Sequence, residues 1–137
     1  LYICIDFLLP RISPNISAKL HDLSYDMLGD YLHYLDQMRT LPADFLVIPG
    51  HDWPYYGGAS RAEQLCNHHA ARLDELANVI DGTPISTNDA MLALFPFNMN
   101  DHEIFFASCE ARAHLNHLKT QGRLSHSVNK SNIDLFA

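Results

Sequence analysis

Hydrophobic residues open the chain in an almost unbroken run over residues 1–9, "LYICIDFLL", in which Asp6 is the one charged residue. A continuous apolar run of this length is typical of a strand that is buried on both faces. A second apolar run, residues 45–48, ends in Pro-Gly-His. Between the two runs, the spacing of apolar residues predicts a helix over about 27–39, which Asp26 can cap. The first half of the chain therefore predicts a β-α-β unit.

The pattern after residue 59 changes to that of helices. Ser60 and Glu63 form an S-x-x-E capping box, which predicts a long helix that ends near Ile80. Ser86 and Asp89 form a second box, S-x-x-D, at the start of a short helix that ends at Phe95. The region after Ile80 is therefore expected to begin a separate helical part.

A third helix is predicted from Asp101, which can cap it, to Gly122, which can terminate it. Its apolar face is expected to contain Ile104, Ala107, Ala111, Leu115 and Leu118. The segments "RLSHSV" and "NIDLFA" flank the turn residues "NKS", which indicates a β-hairpin. Helices followed by a two-stranded hairpin are the outline of a winged-helix module. We therefore predict an α/β part over residues 1–83 and a small, mainly helical winged-helix domain over residues 84–137.

Composition narrows the class of protein. With 47% hydrophobic and 18% charged residues, the 137-residue chain is expected to be globular. Its formal net charge of -7 offers no basic field that would attract nucleic acid or an anionic membrane. No apolar run approaches the ~20 residues of a membrane span. The chain starts without methionine inside a strand-like run, so we expect it to be the tail of a longer protein.

Cysteine usage bears on the compartment. The three cysteines, Cys4, Cys66 and Cys109, are widely spaced, odd in number and form no C-x-x-C pair. A disulfide framework or a zinc ribbon is therefore not expected, and a reducing compartment such as the cytoplasm fits best.

Two polar residues lie at strand ends, where ligands of α/β proteins bind. Asp6 lies in the first apolar run, and His51 directly follows the second. Taken alone, Asp6 could cap a nearby turn, and His51 could be a loop histidine bonded to backbone. Taken together, they can point into the same crevice at the edge of the sheet, and a buried carboxylate is favourable only when it is paired or binds a metal.

Three stretches of the sequence carry a resemblance to a known family. They are "IDFLLPRISPNIS", "DMLGDYLHYLDQMRTLPADFLVIPGHDWP" and "LCNHHAARLDEL". Together they resemble the C-terminal half of the catalytic domain of a metallo-β-lactamase-fold hydrolase of the hydroxyacylglutathione-hydrolase (glyoxalase II) kind. The tail "TNDAMLALF…DHEIFFASCEARAHLNHLKTQGRL" resembles the winged-helix domain that follows it. The resemblance implies that residues 1–83 are the C-terminal part of an αββα sandwich.

The resemblance also implies a metal site. In this family an Asp at the end of a strand bridges two zinc ions, and that position corresponds to Asp6. The last metal ligand is the His of a Pro-Gly-His strand end, which corresponds to His51. Carboxylate and imidazole both suit Zn²⁺, and a water between the ions becomes a hydroxide that attacks an ester, thioester or related bond. Glycine usually precedes the bridging Asp, whereas Ile5 stands here, and a β-branched residue adopts only ordinary backbone angles readily.

The remaining ligands of the family are expected outside this chain. The H-x-H-x-D-H motif that supplies most of them is not present in the sequence. The resemblance therefore implies that the full-length parent holds two zinc ions and that this chain alone is inactive.

Several other residues are candidates for a site. Arg11 could bind an anionic group of a small-molecule substrate, with a salt bridge as the alternative. Tyr55 could form part of the pocket wall, with an exposed loop aromatic as the alternative. His69 lies on an apolar stripe and is expected in the core, whereas His114 and His117 are expected to form a surface pair.

Three functional interpretations follow. The first is a fragment of a zinc-dependent hydrolase that acts on a small-molecule ester, thioester or related bond. The second is a metal-dependent endoribonuclease of the same fold. The third is a non-catalytic fragment whose winged helix is an interaction or nucleic-acid-binding module. The last helix and hairpin contain as many acidic residues as cationic ones, and the cationic residues are Arg112, Lys119, Arg123 and Lys130. No basic stripe therefore favours nucleic acid.

Overall fold

The computed structural model describes all residues from Leu1 to Ala137. The elements, in chain order, are β1 (Tyr2–Ile5), α1 (Met27–Met38), β2 (Val47–Pro49), α2 (Gly58–Ile80), α3 (Thr87–Leu94), α4 (Asp101–Thr120), β3 (His126–Val128) and β4 (Asp134–Phe136). The chain forms two compact units. Residues 1–15 and 29–70 form unit 1, and residues 16–28 and 71–137 form unit 2. The division at residue 83 that the sequence indicates stays a prediction.

Unit 1 contains a parallel pair of strands. Tyr2 lies opposite Val47 and Ile3 lies opposite Ile48, and the register shifts before Ile5. Cys4, Leu8 and Val47 are buried. The residues on the alternate positions of the first segment are exposed instead, namely Leu1, Ile3, Ile5 and Phe7. One face of β1 is therefore covered by unit 1 and the other is not.

β1 is shorter than the apolar run that predicts it. The strand ends at Ile5, because the backbone there turns to a φ of 49° and the amide of Phe7 donates to the carbonyl of Cys4 at 3.0 Å. β2 is shifted toward its C-terminal side relative to the predicted 45–48. The amide and carbonyl of Val47 pair with those of Tyr55, at 2.8 and 3.0 Å, and this pairing fixes where the strand lies.

The helices of the first half begin and end close to the predicted positions. α1 starts directly after Asp26 and buries Leu28, Tyr31, Leu35 and Met38 along one stripe. α2 buries Ala62, Leu65, His69, Leu73, Leu76 and Ile80 along one face, which confirms the core position of His69.

The predicted capping box at the start of α2 is wrong. The helix begins at Gly58, so Ser60 lies inside its first turn. Gly57 has a φ of 88°, which lets the chain turn into the helix early, and its carbonyl accepts from the amide of Arg61 at 3.0 Å. Glu63 pairs with Arg39 at 2.5 Å instead of with the helix start.

Unit 2 confirms the short helix and its cap. The hydroxyl of Ser86 accepts from the amide of Asp89, and the Asp89 carboxylate accepts from the amide of Ser86 at 2.9 Å. α4 is capped one residue earlier than predicted. Asn100, and not Asp101, forms its capping box with Glu103. Gly122, with a φ of 70°, ends the helix as predicted.

The hydrophobic face of α4 differs in part from the prediction. Ala107, Ala111, Leu115 and Leu118 are buried, but Ile104 is exposed. The hairpin is confirmed as an antiparallel pair in which His126 lies opposite Phe136 and Val128 lies opposite Asp134. Helices followed by a hairpin are thus present, while the assignment of this part as a winged helix stays a prediction.

His114 and His117 are not a surface pair, because both are buried within unit 2. The ring of His117 contacts the carboxylate of Asp26 at 2.9 Å and the side chain of Gln121 at 2.9 Å. The ring of His114 contacts the carbonyl of Glu110 at 2.9 Å. The partner of His117 lies 91 residues earlier in the chain, so spacing along the helix could not indicate it.

No helix combines the length and the apolar character that crossing a membrane requires.

Candidate metal centre

The side chains of Asp6 and His51 lie next to each other. Nε2 of His51 is 3.4 Å from Oδ1 of Asp6, and the side chains of His51 and Asp6 are more than half exposed, at 71% and 55%. β1 and β2 run parallel, so the residues that follow each strand meet at the same edge of the pair. The two residues that the sequence singles out are therefore neighbours that remain open to further groups.

Gly50 allows this close approach. Its amide donates to the carbonyl of Ile5 at 2.6 Å, which ties the end of β2 to the end of β1. A Cβ atom at this position would lie 2.6 Å from Oδ1 of Asp6 and 3.3 Å from the backbone of Ile5. Any larger residue would therefore displace the Asp6 carboxylate from its position beside His51.

Ile5 has an unusual backbone conformation for its residue type. Its φ of 49° lies in the left-handed region, which a β-branched side chain adopts only with strain. Glycine adopts the same angle freely, so the geometry at this position fits the glycine that the resemblance leads one to expect before the Asp. The strain is located directly beside the candidate ligand.

The donor set suits a divalent metal ion in kind but is incomplete in number. Carboxylate oxygen and imidazole nitrogen are both ligands of Zn²⁺, and a catalytic zinc takes at least three protein ligands. No group of three or more His, Cys, Asp or Glu side chains in this chain could hold a metal ion. Cys4 is close in sequence, but burial raises the pKa of its thiol, and its Sγ contacts the carbonyls of Leu8 and Ile48. Asp6 and His51 therefore fit as part of a site.

Arg11 is paired rather than free. Its Nη2 lies 2.5 Å from Oδ1 of Asp52 and its Nε lies 3.5 Å from Oδ2, and the hydrogen bond to Asp52 raises the pKa of the guanidinium. The guanidinium also lies over the ring of Trp53, 4.9 Å from its centroid. The salt bridge expected as the alternative for Arg11 is thus present, and a substrate contact by Arg11 stays a prediction.

Tyr55 anchors the loop that carries these residues. Its hydroxyl donates to the carbonyl of Leu8 at 2.9 Å, and burial raises its pKa to about 12. A role in the pocket wall stays a prediction for this residue.

Three residues of this neighbourhood are not among the candidates that the sequence indicates. Asp52 and Trp53 directly follow His51, and this adjacency is the signal that could have identified them. Arg61 donates to the carbonyls of Leu9 and Ile12, at 2.7 and 2.9 Å, and so fixes the loop after Asp6 from the first turns of α2.

Comparisons with known proteins agree with the resemblance at the level of the fold. Residues 73–137 match the family described as metallo-β-lactamase-like, C-terminal domain. A β-lactamase domain protein from Burkholderia ambifaria is 34% identical and superposes with a TM-score of 0.94, covering 98% of this chain and 40% of that protein. A metallo-β-lactamase family protein from Thermus thermophilus is 30% identical with a TM-score of 0.77, covering 97% and 41%. The chain thus spans about two fifths of the solved proteins it matches. The search of curated proteins finds no match.

Proposed function

Residues 73–137 match the metallo-β-lactamase-like C-terminal domain, and from this match we propose that the chain is the C-terminal part of a zinc-dependent hydrolase. The substrate class we propose is a small-molecule ester or thioester, as in hydroxyacylglutathione hydrolases. The helices and hairpin after residue 83 serve in this proposal as a winged-helix packing module. The three free cysteines fit a reducing compartment, and we place the protein in the cytoplasm.

Asp6 and His51 are the residues of this chain that would hold metal. A zinc ion, when bound, supplies Lewis acidity for the hydrolysis of an ester or thioester bond. The Asp6 carboxylate has a second oxygen besides the one beside His51, so it can serve two cations. The remaining ligands belong, in this proposal, to the part of the parent protein that the chain does not span.

The neighbouring residues would orient the substrate. Asp52 fixes the guanidinium of Arg11 over Trp53, which leaves a partly exposed cation and an exposed aromatic ring on the loop that carries His51. Such a pair can contact both an anionic group and an apolar part of a small molecule.

The observation that carries the proposal is the 3.4 Å approach of His51 Nε2 to Asp6 Oδ1 at the ends of two parallel strands. His117 and Asp26 make a similar contact, but their side chains are largely buried, at 9% and 20% exposure, whereas those of His51 and Asp6 are more than half exposed. Here a carboxylate and an imidazole meet in an exposed position, and a glycine is required to let them do so.

Charges in unit 2 favour a small-molecule substrate over nucleic acid. Three of the four cationic residues counted in the last helix and hairpin are engaged inside the unit, since Arg123 pairs with Asp74 at 3.5 Å. Arg112 is buried and donates to Asp134 at 2.9 Å, and Lys119 donates to the carbonyl of Leu23. Phosphate contacts need exposed cations, so this part offers few of them.

The test measures zinc content and hydrolysis in the full-length protein. We expect Asp6→Asn and His51→Ala to lower bound zinc and to abolish hydrolysis of ester and thioester substrates. His33→Ala is the matched control, because His33 is an exposed histidine whose ring contacts Gln37 on α1. Normal zinc content and turnover in both site variants would contradict the proposal. Turnover of a phosphodiester but of no ester or thioester would instead favour the ribonuclease interpretation.

A further inference from the structure

A groove in unit 2 lies between the segment 17–21 and the first half of α4. The amide of Ala18 donates to the carbonyl of Cys109 at 3.1 Å, which holds this segment against the helix. The cavity has a volume of about 420 Å³. This volume lies within the range of pockets that hold small molecules, roughly 300–1,000 Å³. The groove is thus large enough for a ligand and is already formed.

The walls of the groove are mainly apolar. Phe105 and Phe106 lie on α4 with 56% and 37% of their surface exposed, and Leu20 on the facing segment is 37% exposed. Cys109 is buried at the base, and burial raises the pKa of its thiol, so it stays neutral. A ligand that covered these side chains would remove apolar surface from water, which favours binding in proportion to the area covered.

The one charged side chain among the residues that line the groove, Lys19, is cationic. Lys19 and His21 flank Leu20, both are exposed, and no acidic side chain is among the lining residues. Asp22 interacts with Lys19 but does not line the groove. In a chain with a formal net charge of -7, this is a local departure from the overall acidic balance. The combination selects a ligand with an apolar body and one negative group.

We propose that this groove binds a small amphipathic carboxylate, with its apolar chain against Phe105 and Phe106 and its carboxylate near Lys19. The charge of Lys19 complements the carboxylate of such a molecule, and the apolar walls of the groove complement its chain. This site is separate in its residues from Asp6 and His51, so the proposal does not rest on the hydrolase proposal.

The first experiment locates binding in the full chain. Octanoate is titrated into ¹⁵N-labelled protein, with the neutral analogue 1-octanol as the reference ligand. We expect saturable amide shifts in residues 17–21 and 105–109, and weaker binding of 1-octanol. Shifts that are absent from these residues, or that concentrate at residues 1–7, would overturn the proposal.

The second experiment separates the charge from the apolar surface with matched variants. Lys19→Ala should weaken octanoate binding by about two- to fivefold, as for an exposed ion pair, and leave octanol binding unchanged. Lys130→Ala removes an exposed lysine of the hairpin turn and should change neither. Equal affinity of both ligands, unaffected by Lys19→Ala, would overturn the assignment of a carboxylate.

Leu20→Asp introduces a charge inside the groove and should abolish binding of both ligands. Leu92→Asp makes the same change at another exposed leucine, on α3, and should leave binding unchanged. Circular dichroism of each variant checks that it is folded, and the amide shifts of the unsubstituted protein decide the location even where a variant unfolds. Sedimentation that shows a dimer dissociated by Leu20→Asp would overturn the proposal, because the groove would then bind a second copy.

Discussion

At the scale of single residues, the meeting of Asp6 and His51 could be predicted, whereas the backbone that carries them could not. Strand ends of a parallel pair share an edge whatever their sequence, so two polar residues at those ends are expected to approach. The φ of 49° at Ile5 has no signal in this residue itself, because a positive φ is normally indicated by glycine; the resemblance alone, in which glycine precedes the Asp, points to it. The pairing of Arg11 with Asp52 likewise depends on two loops whose paths the sequence does not specify.

The strain at Ile5 leads to a prediction about stability. Ile5→Gly should leave the free energy of unfolding unchanged or raise it by up to about 1 kcal/mol, because the left-handed conformation costs isoleucine roughly 1–2 kcal/mol and glycine almost nothing. Ile3→Gly is the matched control, since Ile3 is equally exposed on the same strand but has no positive φ. Ile3→Gly should lower the free energy of unfolding by about 1 kcal/mol. Denaturant unfolding of both variants measures the difference, and equal losses would show that Ile5 is not strained.

At the scale of elements, the spacing of a capping box predicts a helix start correctly in one of two cases. It does so where the first residue of the box has an extended backbone. Ser86 has extended backbone angles, and its box with Asp89 forms as predicted. Ser60 and Glu63 have the same spacing, but Gly57 starts α2 earlier and Glu63 pairs with Arg39. The residue at which a helix begins thus depends on the neighbouring loop and on contacts with other elements. The capping motif alone does not specify these.

The two serines provide a direct comparison. Ser86→Ala should lower the free energy of unfolding by about 1 kcal/mol, because it removes the side chain that accepts from the amide of Asp89. Ser60→Ala should change it by no more than about 0.5 kcal/mol in either direction, since this residue lies inside the first turn of α2. Thermal or denaturant unfolding of both variants gives the values. An equal loss in the two variants would show that Ser60 acts as a cap after all.

At the scale of the whole molecule, the pKa values of acidic residues are shifted in opposite directions, and these shifts make the stability depend on pH. Hydrogen bonds from Ser86 lower the pKa of Asp89, and hydrogen bonds from His126 and Arg112 lower the pKa of Asp134. The stability that these two aspartates contribute is fully present above the pKa of an aspartate in the unfolded chain. It is lost as the pH falls through their lower pKa values in the folded state. Burial raises the pKa of Glu110 to about 7, against the opposing effect of Arg72. The folded state then binds the proton of Glu110 more tightly than the unfolded state does.

We therefore expect the free energy of unfolding to be highest at mildly acidic pH and to fall as the pH rises through the interval between the unfolded and folded pKa of Glu110. The fall is at most about 3.5 kcal/mol, because the pKa rises from its ordinary value of 4.5 to about 7 and each pKa unit corresponds to roughly 1.4 kcal/mol. Glu110→Gln should remove most of this fall between about pH 5 and pH 8. Glu75→Gln is the control, because Glu75 contacts the same Arg72 but is exposed. A fall that persists in Glu110→Gln would assign the pH dependence to other groups.

The position of Trp53 has a practical consequence for spectroscopy. It is the one tryptophan of the chain, it is more than half exposed, and the guanidinium of Arg11 lies against its ring. Indole emission from this chain therefore originates in a single loop, two residues after His51. Its wavelength, polarisation and accessibility to quenchers report on that loop alone, without a label and without the background that a second indole would add. A paramagnetic ion such as Co²⁺ or Cu²⁺ that bound beside His51 would quench this fluorescence. Trp53 is therefore an intrinsic fluorescent probe of metal binding at the place where Asp6 and His51 meet.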